Sequence, residues 1–170
     1  YGIPTIALRY FNVYGPRQSL SNPYTGVAAI FMSRYKNNNP PLIFEDGLQS
    51  RDFVSVHDIV RANLLAMKAK TADYGVFNVG AGGQVTIKQV AETIQTIQKS
   101  RIQPTILNTF RKGDVRHCFA DISKIKNKLG FQPRVNFKQG MEELIAWSAT
   151  QHAEDNVEKA TKELKEKGLI

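Results

Sequence analysis

The nonapeptide Arg9-Tyr-Phe-Asn-Val-Tyr-Gly-Pro-Arg17 constrains the fold more than any other stretch of this 170-residue chain. It follows an apolar, β-branched run, Ile3 to Leu8, that reads as a strand, and it ends in a Gly15-Pro16 turn. An asparagine and two arginines among aromatics at the carboxyl edge of a strand match the crevice in which open α/β sheets bind their ligands. The rest of the chain must then supply helices to cover that sheet.

It does. Asn22-Pro23 breaks the chain and Thr25 is a plausible cap for a helix over about Gly26 to Lys36. Leu42 to Phe44 predicts a short strand, Glu45-Asp-Gly47 a turn, and Arg51 to Val56 a second strand. His57-Asp58 then opens a helix over Ile59 to Ala69, with Ile59, Ala62, Leu65 and Ala66 at helical spacing. Val76 to Val79 is a strand ending in Gly80-Ala-Gly-Gly83, which lacks the last glycine of G-x-G-x-x-G because Val85 stands there, and so reads as a turn. Thr86 caps a helix to Gln98 whose Ile87, Val90, Ile94 and Ile97 point inward. Short strands are expected at Pro104–Leu107 and Cys118–Ala120. A helix capped by Asp121 or Ser123 ends at Leu129-Gly130, and an amphipathic one runs from Phe137 to Thr150. Gln151 to Lys167 is charged and poor in apolar residues, which predicts a frayed helical tail. The mixture is an α/β or α+β module, divided into residues 1–150 and a charged tail over 151–170.

The net charge of +8 invites a nucleic-acid reading, but the lysines alternate with acids as on solvated helix faces, without the aromatic-interleaved basic stripe such a surface needs. Isolated, well-spaced arginines suit a small polyanion better. No run of about 18 apolar residues exists for a membrane span, and no charged segment followed by an apolar one opens the chain as a secretion signal. Cys118 is the sole cysteine, which fits a reducing, cytoplasmic setting; it is expected to be packed rather than reactive. Three separated histidines and one cysteine form no metal-ligand spacing. Trp147 is expected in the core.

Four segments taken together, Arg9 to Arg17, Arg51-Asp-Phe-Val-Ser-Val-His-Asp58, Phe77-Asn-Val-Gly80 and Arg111-Lys-Gly-Asp114 with Ala120-Asp121, resemble the extended short-chain dehydrogenase/reductase family. Their order and spacing are similar to its NAD-dependent nucleotide-sugar epimerases and dehydratases over about residues 1–148. Ser21 to Val27 followed by Pro40 to Gly47 resembles the dTDP-L-rhamnose 4-epimerase branch. The resemblance implies an α/β fold, the C-terminal substrate-binding part of such an enzyme, made of the last Rossmann strands and a small mixed lobe. The Gly-rich NAD-binding turn and the Tyr-x-x-x-Lys motif are absent: Thr5, Tyr14, Gln18, Ala28, Asn39 and Asn78 follow the tyrosines at i+4. The reading is therefore of a fragment, inactive alone, whose parent is a homodimer that oxidises and re-reduces C4 of a dTDP- or UDP-linked sugar. The 4,6-dehydratase, decarboxylase, reductase and non-catalytic nucleotide-binding readings stay open.

By the same resemblance, Asn12 and Arg51 would hold the diphosphate, Asn12 because an amide both donates and accepts and Arg51 because a guanidinium forks onto phosphate oxygens. Arg111 would meet a phosphate or the ribose, and Asp114 would accept from ribose hydroxyls. Val27 would lie near the nucleotide, with Ile43, Phe44 and the neighbouring Leu42 against the base. Tyr10 and Phe11 would line the nicotinamide end, although core packing accounts for them equally well. Arg17 is left open, and His57 and Asp58 read as helix caps.

Overall fold

A computed structural model describes residues 1–22 and 24–170. The expected break at Pro23 falls outside them. In chain order the elements are β1 (Ala7–Tyr10), β2 (Asn12–Tyr14), α1 (Val27–Lys36), β3 (Leu42–Ile43), β4 (Ser50–Arg51), β5 (Phe53–Ser55), α2 (Val56–Lys68), β6 (Val76–Val79), β7 (Val85–Thr86), α3 (Ile87–Gln98), β8 (Thr105–Ile106), β9 (His117–Cys118), α4 (Ser123–Leu129), α5 (Phe137–Ser148) and α6 (Val157–Glu166).

The first strand starts later than the apolar run suggests. Pro4 has no N–H to give a ladder, and pairing begins where the Ala7 amide reaches the Gly75 carbonyl at 2.9 Å. The diagnostic nonapeptide is consequently strand itself, in two pieces. β1 runs parallel to β6, with Tyr10 opposite Val79. The chain then changes partner at Phe11, and β2 runs parallel to β5, with Asn12 opposite Phe53. The expected single strand from Arg51 is likewise split at Asp52 into β4 and β5. β4 is the middle strand of a second sheet, antiparallel to β7 and parallel to β9. β3 pairs in parallel with β8.

Two apolar cores hold these layers. Phe31, Met32 and Tyr35 of α1 meet Val90, Ala91 and Ile94 of α3 and Met141 and Leu144 of α5, and Trp147 packs at the edge of that cluster. Val54 and Phe77 of the parallel strands meet Ala62 of α2, and Ile125 and Leu129 of α4. Local signals place several helix ends. Thr86 and Gln89 form a reciprocal capping box at α3. Gly130, with φ 65°, closes α4 in the left-handed region. At Gly140 there is room for nothing larger than hydrogen, since an added Cβ would lie 2.2 Å from the Tyr14 hydroxyl.

Several local expectations are corrected. Gly26, not Thr25, caps α1 without a side-chain bond, because the Thr25 hydroxyl instead accepts from Gln18 Nε2 at 3.3 Å. Ser55 caps α2 by accepting from the His57 amide. His57 lies beyond the cap, 2.8 Å from Glu143. Asp58 is almost fully buried and binds the Arg134 and Val135 amides and the Arg61 guanidinium. Cys118 is exposed, since β9 lies at the edge of its sheet. The segment after residue 150 does not fray: α6 folds back on the body. No helix among the described residues is long and apolar enough to cross a membrane.

Candidate functional site

Asn12, Val27, Phe44, Arg51, Arg111 and Asp114, distant in sequence, line a single cavity of about 280 Å3. Each arrives by a different route. The Asn12 amide donates to the Asp52 carbonyl at 2.9 Å, which fixes its backbone at the partner switch between β1 and β2. Val27 starts α1, and Arg51 projects from β4. Arg111 to Asp114 is a turn closed by the Asp114 amide on the Arg111 carbonyl at 3.1 Å.

Asp114 sits between the two arginines. It accepts from Arg51 Nη2 at 2.5 Å through Oδ1 and from Arg111 Nη2 at 3.0 Å through Oδ2. Arg51 Nη1 also reaches the Ser50 carbonyl at 2.8 Å. The Arg111 guanidinium stands 5.7 Å from the centre of the Phe44 ring, within cation–π range. Two cations against one carboxylate leave this end positive. A guanidinium has five donors, and only some of them are used here.

The opposite walls are apolar: Val27, Ile30 and Phe31 of α1, and Leu42 with Phe44. Side chains alternate along an extended segment, so Ile43, between those two, faces the other way and is 1% exposed in the core. It does not join Phe44 in the cavity. Neither Tyr10 nor Phe11 lines it. Tyr10 is 46% exposed and donates to Asn63 Oδ1 on α2 at 2.9 Å, while the Phe11 amide bonds the Val79 carbonyl. Arg17 is exposed on its turn, with φ 71°.

Gln49 and four residues of α6 line the cavity unforeseen. Gln49 donates from Nε2 to the Phe44 carbonyl at 2.9 Å, while its buried Oε1 has no partner among the described residues. A buried acceptor left unpaired costs about 1–3 kcal/mol, which a ligand N–H or O–H would relieve. Its signal in the sequence was slight, a polar residue two before Arg51. Val157, Ala160, Thr161 and Leu164 recur at i, i+3, i+4 and i+7, and that spacing was visible beneath the charge.

The glycine-rich turn after β6 offers no second anion site. Asp52, fully buried, accepts from the Ala81 amide at 2.6 Å, the Gly82 amide at 2.9 Å and the Ala120 amide at 3.2 Å. A carboxylate already occupies the place a phosphate would need. Gly80 permits this closeness, since a Cβ there would fall 2.5 Å from Asp52 Oδ2.

Residues 1–144 match the profile of a family described as GDP-mannose 4,6 dehydratase. A dTDP-L-rhamnose 4-epimerase of Burkholderia thailandensis is 35% identical over 86% of this chain and 40% of its own length. A UDP-glucose 4-epimerase of Thermotoga maritima, solved with UDP-glucose, superposes with a TM-score of 0.80 at 41% identity, covering 88% of this chain and 47% of that one. A UDP-glucuronic acid 4-epimerase of Bacillus cereus, solved with UDP-glucuronic acid and NAD, gives 0.79 at 29% identity, over 88% and 46%. Other relatives are decarboxylases and dehydratases. The chain spans about half the length of the relatives it matches.

Proposed function

Because the chain belongs to the GDP-mannose 4,6-dehydratase family, whose relatives are NAD-dependent nucleotide-sugar enzymes, we propose that it is the nucleotide-sugar-binding portion of a 4-epimerase. One observation carries the reading: Arg51 and Arg111, clamped on Asp114, adjoin an apolar chamber just below the usual size range of small-molecule pockets. A pyrophosphate suits the guanidiniums, and a flat base suits the Phe44 side. Asp114, aimed by two cations, would accept from ribose hydroxyls. The Asn12 side-chain amide would add a donor toward the diphosphate.

The reaction in this reading oxidises the sugar C4 hydroxyl and returns hydride to the other face. NAD, when bound, supplies the hydride acceptor. The glycine turn after β6 does not fit its pyrophosphate, since Asp52 already takes the Ala81 and Gly82 amides there; the part of the cavity residues lies elsewhere. They hold the nucleotide diphosphate and leave the sugar unclamped. Binding energy drawn from the remote diphosphate keeps the intermediate in place while the sugar turns, which is how non-reacting contacts serve catalysis. The 4-epimerase choice over dehydratase or decarboxylase is supported by the activities named for the Burkholderia, Thermotoga and Bacillus relatives. A dTDP- or UDP-linked substrate, a cytoplasmic setting and a homodimeric whole protein belong to the same proposal.

Calorimetric titration with dTDP and UDP tests it. Binding of at least one, weakened about 10–100-fold by Arg51→Ala, is the expected result, the loss of charge-assisted hydrogen bonds to phosphate. Binding of neither, or binding indifferent to Arg51, would overturn it.

A further inference from the structure

The family match ends at residue 144, yet α6 contributes a whole face to the cavity. Val157, Ala160, Thr161 and Leu164 form that face, and Ala160 is 8% exposed. The helix is built in. Arg34 of α1, 3% exposed, donates to Asp155 at 2.9 Å and to Glu158 at 3.0 Å. Asn39 Nδ2 donates to the same Asp155 oxygen at 2.6 Å, and Asn37 Nδ2 to the Ala153 carbonyl at 2.9 Å. The buried acid of the two is Asp155, which also takes the Val157 amide at 3.1 Å, and a buried charge is costly unless partnered in this way.

Three further ties stretch α6 across the cavity. On the side where α1 begins, Asn156 Nδ2 donates to the Ser21 carbonyl at 2.9 Å and the Tyr24 hydroxyl donates to Glu163. On the other side the Lys112 amide donates to the Leu169 carbonyl at 2.8 Å, inside the turn that carries Arg111 and Asp114. The helix therefore connects both sides of the apolar chamber, and brings to it no charge of its own. Glu158, Lys159, Lys162 and Glu166 lie outside the lining face.

We infer that α6 is the specificity wall of this cavity: Val157, Ala160 and Leu164 close the apolar chamber on the base of a nucleoside diphosphate and set which base fits. The inference rests on the nucleotide-sugar reading above and assigns the part of the ligand that the guanidiniums do not hold. Small changes on α6 should then alter nucleotide binding while sparing a phosphate-only ligand. A single methylene in an apolar pocket is worth about tenfold or more.

The test uses the whole chain, titrated with UDP, dTDP and inorganic pyrophosphate, with a thermal melt of every variant to establish folding. Ala160→Leu adds bulk inside the chamber and is expected to weaken both nucleotides about tenfold or more, with pyrophosphate within about twofold. Leu164→Ala removes apolar contact and is expected to weaken the nucleotides about tenfold or more, again sparing pyrophosphate. Equal changes for nucleotides and pyrophosphate, or none in either folded variant, would overturn the wall. Tighter nucleotide binding after removal of residues 154–170 would also overturn it, since α6 would then be an obstruction. A wild-type chain that binds pyrophosphate and no nucleotide overturns the nucleotide reading itself, and is told apart because it needs no variant.

Discussion

Asp52 and Asp114 stand in neighbouring parts of the molecule and are employed in contrary ways. Asp52 is spent on the scaffold, taking three backbone amides that would otherwise be orphaned where the turn after β6 meets the segment before α4. Asp114 takes side chains, holding Arg51 and Arg111 in register while leaving part of their donor capacity unused. One region is closed because its polar groups satisfy one another. The other is the candidate site because they do not. Hydrogen-bond completeness, more than charge or burial, separates structure from function here.

The sharpest attempt to break this contrast is Asp52→Ala. Losing three charge-accepting bonds in a buried place should cost about 3–5 kcal/mol, read as a lower urea midpoint, whereas Asp114→Ala should cost under about 1 kcal/mol at its more solvated position. Similar losses for both would erase the distinction. Next, Arg51→Ala should leave the urea midpoint nearly unchanged even as nucleotide binding falls by the amount given above. A large loss of stability would move Arg51 to the scaffold side. Smaller again, Asp114→Asn should tighten inorganic pyrophosphate about twofold by removing a repelling charge, without tightening UDP. Equal gains for both ligands would mean the carboxylate does not serve the ribose.

The least effect comes from the core beneath the cavity. Burial first, and the Glu92 carboxylate second, push the Tyr35 hydroxyl up to about 12, from an ordinary 10. The folded state prefers the protonated phenol, so this contribution is whole below about pH 10 and disappears as pH rises toward 12. Thermal melts from pH 9 to 11 should fall for the wild type and fall less steeply for Tyr35→Phe. Matching slopes would show that Tyr35 has no part in the alkaline decline.

What the chain disclosed in advance follows the same division. Capping by Thr86 and Gln89, the stop at Gly130 and the inward face of α3 are local signals, readable over a few residues. Arg51, Arg111 and Asp114 could be named together only through resemblance, since nothing between residues 51 and 114 announces their meeting. Asp52 gave no sign of its role in the sequence, because strand alternation sends it and its neighbour Arg51 to opposite faces and its amide partners lie 29, 30 and 68 residues away. The apolar face of α6 was hidden by composition: four small or apolar residues at helical spacing were outweighed by surrounding lysines and glutamates. Ile43 and Phe44 were grouped as one apolar wall, although a strand must send them apart.

The change of partner at Phe11 also bears on how tolerant the nonapeptide is of alteration. Residues two apart on an unbroken strand share a side, yet Tyr10 leans on α2 and Asn12 opens into the cavity. The break works as a universal joint: each half of the motif answers to its own ladder. Substitution at Tyr10 is thereby insulated from the cavity that Asn12 lines, and a new specificity could be sought at Asn12 without resetting the sheet that carries it.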